Sequence, residues 1–202
     1  NTYNVIYKVD GEEYQVVPVT YGSEIALIDE PTKEGHTFSG WSEVPATMPA
    51  EDVVIKGTFA VNYYNVVYLV DGEVYVTDRI AYGKEIVAPE HPVKEGYTFG
   101  GWRDVPKTMP AEDIEITSSF VVNGYKVIYK VDGEEFHTEL IEYGKELTAL
   151  AEPTKEGYTF SGWSEVPATM PAENVTIEGT FTVNSYKLTY MIDGEEDRKS
   201  VV

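Results

Sequence analysis

The chain has 202 residues, and 13% of them are aromatic, a proportion that excludes an intrinsically disordered acidic segment. Thirty-five acidic residues outnumber 15 basic ones, and the net charge of −20 disfavours nucleic acid and anionic membrane surfaces as partners. Cysteine is absent, so neither disulfide bonds nor thiolate metal sites contribute. No apolar run approaches the roughly 20 residues of a membrane span, and we therefore expect no membrane insertion.

An internal repeat of 61 residues organises the whole sequence. Tryptophan occurs only at Trp41, Trp102 and Trp163, and the Asp-Gly pair that begins at Asp10 recurs at the same interval. We predict three complete modules and the first hairpin of a fourth, over residues 1–62, 63–123, 124–184 and 185–202. This hairpin either pairs with the third module and caps it or is a cut edge. Because the sequence starts and stops inside its own pattern, without a signal peptide or an anchor, we expect an excerpt of a longer protein.

Each module begins with a predicted β-hairpin. Residues 3–9 alternate, with Tyr3, Val5, Tyr7 and Val9 on one face, which is typical of a half-buried strand. The following Asp-Gly pair suits a type I′ turn, in which both central residues need a positive φ. A second strand is predicted over residues 13–21. It contains Pro18, which cannot donate a ladder hydrogen bond and therefore indicates an edge position or a bulge.

The rest of the module is predicted as two more strands joined by turns. Residues 23–30 form either a short helical turn or an irregular crossing, and residues 31–35 form a turn. A third strand is expected over residues 36–42, followed by a proline-containing loop with at most one helical turn. A fourth strand covers residues 52–61, and Asn62 leads into the next module without a flexible linker. The fold class is therefore mainly β, a tandem array of four-stranded modules, or α+β if the helical turn forms.

The succession of motifs in each module resembles the Listeria–Bacteroides repeat, a family related to the B repeat of internalin-type surface proteins. The resemblance rests on Tyr21-Gly22, on residues 31–35 and 37–41, on residues 48–52 and on the strand that carries Phe59. It implies a β-grasp-like module and a setting outside the cell, in long secreted or wall-attached bacterial proteins. These repeats usually stand between a ligand-binding domain and the cell surface. The family has no accepted catalytic residues.

The sequence offers no constellation of catalytic or metal-binding side chains. His36, His91 and His137 occupy three different positions of the repeat, which favours three isolated, exposed histidines. Paired carboxylates such as Glu51-Asp52 are neighbours along the chain, whereas glycosidase chemistry needs two carboxyl groups facing each other across a cleft. We predict a non-enzymatic chain with no catalytic residue, no cofactor and no metal ligand.

Three features could suggest calcium binding, sugar binding or covalent cross-linking, but we predict a structural role for each. Residues 10–13 lack the alternating oxygen ligands of a calcium loop, and a turn already accounts for them. Trp41 is predicted as the main core residue, with its indole N–H bonded to a carbonyl, rather than as a sugar-stacking platform. Lys33 and Asn62 recur in every module, but Lys33 lies in a polar turn and Asn62 lies at the module junction. We therefore do not expect a Lys–Asn isopeptide bond.

Two functions remain in competition. The first is a monomeric spacer that projects another domain from a bacterial surface and contacts only the neighbouring repeats of its parent chain. The alternative is an adhesin module that grips host glycans or proteins through weak, multivalent contacts. An exposed aromatic strip with the 61-residue period would favour the alternative, and Tyr64, Tyr125 and Tyr186 are candidates unless strand alternation points them inward. The expected location is the bacterial surface or the extracellular medium.

Overall fold

The computed structural model describes residues 1–196, which form strands, turns and irregular segments and contain no helix. Each repeat contributes five strands. The first repeat contains β1 Thr2–Val9, β2 Glu12–Thr20, β3 His36–Phe38, β4 Val53–Gly57 and β5 Phe59–Val61. The second contains β6 Tyr63–Val70, β7 Glu73–Ala81, β8 Tyr97–Phe99, β9 Ile114–Ser118 and β10 Phe120–Val122. The third contains β11 Gly124–Val131, β12 Glu134–Glu142, β13 Tyr158–Phe160, β14 Val175–Gly179 and β15 Phe181–Val183.

The opening hairpin forms as the alternation predicts. Val5 and Tyr7 are buried on the inner face of β1, and β1 pairs antiparallel with β2. Asp10 and Gly11 have φ values of 52° and 93°, so the prediction of two positive φ angles in the turn is confirmed. The register shifts between Tyr7 and Lys8, and the same shift recurs in the other two repeats. Each hairpin therefore contains a β-bulge.

The hairpin is completed by a strand from the far end of the repeat. β4 runs parallel to β1, and the three-stranded sheet has the order β2-β1-β4. This order places β2 at the edge of the sheet, as the presence of Pro18 predicts. The second and third repeats form the same sheet with β7-β6-β9 and β12-β11-β14. A second, two-stranded sheet joins β3 with β5, β8 with β10, and β13 with β15.

Two predicted boundaries are wrong. The third strand ends at Phe38 rather than residue 42, because the positive φ of Gly40 (82°) takes the chain out of the extended conformation. The fourth strand is divided at Thr58 into β4 and β5, which lie in different sheets, so a repeat has five strands rather than four. Of the two alternatives for residues 23–30, the irregular crossing is the one that forms, and an isolated bridge joins Glu24 to Thr47. The β-grasp-like assignment stays a prediction.

A small apolar core lies beneath each three-stranded sheet. In the first repeat the buried residues are Val5, Tyr7, Ile25, Met48 and Ile55. The other two repeats have the matching clusters, built around Tyr68 with Met109 and around Tyr129 with Met170. The tryptophans are only partly buried and pack against these clusters. The methionine and the first-strand tyrosine, not the tryptophan, therefore form the centre of each core.

The chain divides into two compact units. One contains residues 1–92 and 99–120, and the other contains residues 93–98 and the chain from residue 121 onward. A short hairpin of β16 Met191–Ile192 and β17 Glu195–Glu196 pairs only with itself among the described residues, and the remainder of the predicted fourth module, residues 197–202, lies outside them. In the part of the chain that the structure describes, no helix has the length and apolar character needed to cross a membrane.

Candidate functional site at the junction between repeats

Asn62 joins the first repeat to the second without a linker, and its backbone is bonded on both sides. Its N–H donates to the carbonyl of Gly35 in the first repeat, with an N···O distance of 2.8 Å. Its carbonyl accepts from the N–H of Tyr82 in the second repeat, at 2.9 Å. Asn123 repeats both bonds, to Gly96 and from Tyr143, at 2.9 Å each. The residue between two repeats is therefore fixed by hydrogen bonds to both of them.

The side chain of Asn62 adds two more hydrogen bonds at the same place. Its Oδ1 accepts from the Thr37 hydroxyl at 2.6 Å, and its Nδ2 donates to the Tyr64 hydroxyl at 3.4 Å. The ammonium group of Lys33 lies over the ring of Phe59, 5.5 Å from its centroid. The amide and the amine that an isopeptide bond would need are thus engaged with different partners.

An aromatic ring from the following repeat covers the turn glycine of the preceding one. A Cβ atom added at Gly35 would overlap the ring of Tyr82, and the φ of Gly35 is 66°. Gly96 has the same relation to Tyr143, with a φ of 75°. Since both the backbone angle and the ring exclude a side chain, only glycine fits this position without rearrangement.

The surroundings of Tyr82 at the junction also affect its hydroxyl group and its ring. Burial raises the pKa of Tyr82 above its usual range, and the neighbouring Glu34 carboxylate raises it further. The ring of His36 lies edge-on to Tyr82, with 5.9 Å between centroids. Tyr97 takes the same place beside Tyr143 in the next junction, also at 5.9 Å. The prediction that His36 is isolated and exposed is therefore wrong.

The two outer positions of this series show what the junction changes. Tyr21 is the counterpart of Tyr82 in the first repeat and is 61% exposed, whereas Tyr82 and Tyr143 are half-buried. Among residues 1–196, no atom lies within 4 Å of a Cβ built on Gly157, the counterpart of Gly35 in the third repeat. The half-burial of the two junction tyrosines thus accompanies their contact with the glycine of the preceding repeat.

The tryptophans are partly buried and lie among other aromatic rings. The indole N–H of Trp41 donates to the carbonyl of Ile28 at 3.2 Å, as predicted, and Trp102 and Trp163 make the equivalent bond. The rings of Tyr7 and Phe38 lie edge-on to Trp41, each 4.9 Å away between centroids. Trp41 alone is therefore poorly placed to stack on a sugar.

A recurring exposed aromatic residue, which the sequence analysis missed, lies beside each tryptophan. Tyr14 is 51% exposed, Tyr75 46% and Phe136 51%, and their ring centroids lie 5.9–6.3 Å from that of the adjacent tryptophan. Each is the residue omitted from the strand register at the β-bulge. Since a bulge redirects the side chain it carries, it accounts for their exposure. The signal in the sequence was their 61-residue spacing.

The remaining predicted candidates do not converge. His91 and His137 are exposed and lie near Phe99 and Tyr129 respectively. Tyr64 and Tyr125 pack against the cores, whereas Tyr186 is 81% exposed, so these tyrosines form no common strip. Among residues 1–196, no three His, Asp or Glu side chains are grouped so that they could hold a metal ion. Asp10 accepts the N–H of Phe59 at 2.9 Å, in addition to its place in the turn.

Comparison with known proteins confirms the resemblance. The model of the Listeria-Bacteroides repeat domain matches residues 3–52, 64–122 and 125–185. The chain belongs to this family. Internalin H of Listeria monocytogenes is 35% identical over 60% of the chain and 25% of its own length. A putative membrane protein of Evansella cellulosilytica is 28% identical over 97% of the chain and 34% of its own length. A putative Gly-rich membrane protein of the same organism is 26% identical over 96% of the chain and 26% of its own length. The family member thus spans about a third or less of these relatives.

Proposed function

We propose that this chain is a non-enzymatic spacer of a bacterial surface or secreted protein, in which the number of repeats sets the distance of another domain from the surface. The observation that supports it most directly is the bonded junction. Asn62 and Asn123 are each hydrogen-bonded to the repeats on both sides, and no Gly/Ser-rich linker intervenes. The names of the relatives, two putative membrane proteins and an internalin, favour the extracellular setting.

The energetics of small repeats favour the same function. A repeat of 61 residues buries only about 60% of the surface that its unfolded chain exposes, so it is marginally stable by itself. Contacts with the next repeat add to its stability, as in other repeat arrays where each unit contacts mainly its neighbours. A chain built in this way is lengthened by adding copies, and each added copy stabilises the copy before it.

Small-angle scattering of the protein in dilute solution tests the spacer. A single globule of this length has a radius of gyration of about 16–17 Å. Three repeats end to end, each about as long as a ten-residue strand, form a monomeric rod with a radius of gyration of about 30 Å. We expect the larger value. A value near that of the globule would contradict the spacer.

The bulge aromatics favour a second function, the weak and multivalent binding of neutral glycans. Tyr14, Tyr75 and Phe136 each present a half-exposed ring beside a tryptophan, at one position per repeat. Such a ring can stack on the apolar face of a sugar, and three weak sites on one chain bind a polymer more tightly than each site alone. The net charge of −20 favours neutral over anionic polysaccharides.

Affinity electrophoresis in gels that contain a neutral polysaccharide, such as a β-glucan or a mannan, tests this second function. We expect retardation of the natural chain and its loss in the triple variant Tyr14→Ala, Tyr75→Ala and Phe136→Ala. Tyr63→Ala is the matched control, because Tyr63 is 52% exposed and lies outside the bulges. Equal mobility of the natural chain and the triple variant would argue against glycan binding by these rings.

A further inference from the structure

We infer that the parallel pair β1–β4, with its counterparts β6–β9 and β11–β14, is a mechanical clamp that resists tension along the chain. The chain enters each repeat through the first strand of this pair and leaves soon after the second. The two strands are hydrogen-bonded side by side over five residue pairs, from Val5 with Val53 to Val9 with Gly57. The inference rests on the proposed spacer, because only a tethered spacer transmits force between its ends.

The direction of the strands determines how they separate. Tension on the chain pulls β1 toward its N-terminal end and β4 toward its C-terminal end. Since the strands are parallel, these pulls are opposed along the same axis, and the strands must slide past each other. All the hydrogen bonds of the pair are then loaded together. In an antiparallel hairpin pulled at its open end, by contrast, the bonds break one pair at a time.

Further hydrogen bonds, two of them to side-chain carboxylates, fasten the pair at both ends. At the entry end, the N–H of Asn4 donates to Oδ1 of Asp52 at 2.7 Å. At the exit end, the N–H of Asp10 donates to the carbonyl of Gly57 at 3.1 Å, and the N–H of Phe59 donates to Oδ1 of Asp10 at 2.9 Å. The second and third repeats make all three bonds at equivalent positions, with distances of 2.7–3.0 Å.

The core adds resistance at the same place. Val5 and Tyr7 from β1 and Ile55 from β4 are each no more than 1% exposed and belong to one buried cluster. Sliding the strands moves these side chains out of their packing positions, so hydrogen bonds and apolar contacts are lost in one step. The rate of forced unfolding depends on the barrier to that step.

Single-molecule stretching with two attachment geometries tests the clamp. The chain has no cysteine, so two introduced cysteines provide unique handles. The pair Thr2→Cys and Thr58→Cys, placed on exposed residues, pulls β1 and β4 apart along their length. The pair Thr2→Cys and Thr20→Cys is the matched control, since Thr2 and Thr20 are opposite one another at the open end of the β1–β2 hairpin.

We expect the first geometry to require a clearly higher unfolding force than the second at the same pulling speed. Equal forces in the two geometries, whether high or low, or a higher force in the second, would overturn the inference. The outcome is independent of the spacer test. A small radius of gyration with a strong clamp would remove the spacer but leave the mechanical property, whereas a large radius with equal forces would do the reverse.

Discussion

The three turn glycines allow the junction to be measured against an internal control. Gly35, Gly96 and Gly157 occupy the same position of the repeat and all have a φ between 66° and 76°. Alanine at any of these positions destabilises the fold, because a residue with a Cβ atom is strained in the left-handed conformation. At Gly35 and Gly96 the added methyl group would also overlap a tyrosine ring, whereas at Gly157 it would meet no atom of the described part of the chain within 4 Å. The difference between the variants therefore isolates the contact with the next repeat.

The magnitudes follow from the exposure of the tyrosines. The backbone term costs about 1–2 kcal/mol and is common to the three variants. If the methyl group displaces Tyr82 to the 61% exposure of Tyr21, about half of the stabilisation from burying an aromatic side chain is lost, or about 1 kcal/mol. We expect Gly35→Ala and Gly96→Ala to cost about 1 kcal/mol more than Gly157→Ala.

Native-state hydrogen exchange measures this difference repeat by repeat, because it reports the free energy of local opening. The amides around the substituted turn and those of the strand after the junction are the relevant probes. The double variant Gly35→Ala with Tyr82→Ala provides a second measure. Removing the ring removes the overlap, so its cost should be well below the sum of the single costs. Equal costs at the three glycines, together with additivity in the double variant, would refute the argument.

Three further predictions compare equivalent positions. Tyr7→Phe should cost about 1 kcal/mol in urea denaturation, because the Tyr7 hydroxyl donates to the Ala26 carbonyl. Tyr68→Phe should be neutral or stabilising, because the buried Tyr68 hydroxyl has no hydrogen-bond partner among the described residues. The raised pKa of Tyr82 favours its neutral form in the folded state. The contribution of Tyr82 to the stability of the fold is therefore complete below about pH 10 and is lost as the pH rises further. Thermal denaturation at alkaline pH should show a smaller loss of stability in Tyr82→Phe than in the natural chain. Asp52→Asn should leave the stability nearly unchanged, because Asn174 accepts the equivalent hydrogen bond in the third repeat. Asp52→Ala should cost up to about 1 kcal/mol. A large cost of Asp52→Asn would contradict the equivalence of the two side chains.

Local patterns in the sequence predict the local structure. The alternation of Val5 and Tyr7 gives the buried face of β1, and the Asp10-Gly11 pair gives the turn, since both depend on residues within one hairpin. Pro18 indicates an edge position or a bulge, because its missing N–H cannot be used in the centre of a sheet, and β2 lies at the edge. These predictions need no knowledge of distant parts of the chain.

The features that matter most for function depend on residues far apart in sequence. The parallel pairing of β1 with β4 joins residues about 48 positions apart, and no local pattern indicates which strand lies beside β1. The local sequence predicts Gly35 as an ordinary turn glycine and gives no sign that the ring of Tyr82 lies against it. The local sequence predicts Tyr14 as a regular strand residue, whereas the bulge leaves its side chain exposed. In the last two cases the 61-residue recurrence was the available signal.

The junction and the proposed clamp act on the same stretch of backbone. Load that leaves β4 passes through β5 and Asn62 before it reaches β6, the first strand of the next pair. Asn62 is held by the Gly35 carbonyl and the Thr37 hydroxyl, so the direction in which β6 is pulled is fixed by the preceding repeat. A flexible linker would let the strand rotate and be peeled from its neighbour one bond at a time. Loosening the contact at Gly35 should therefore lower both the stiffness of the array and the force that its next repeat withstands.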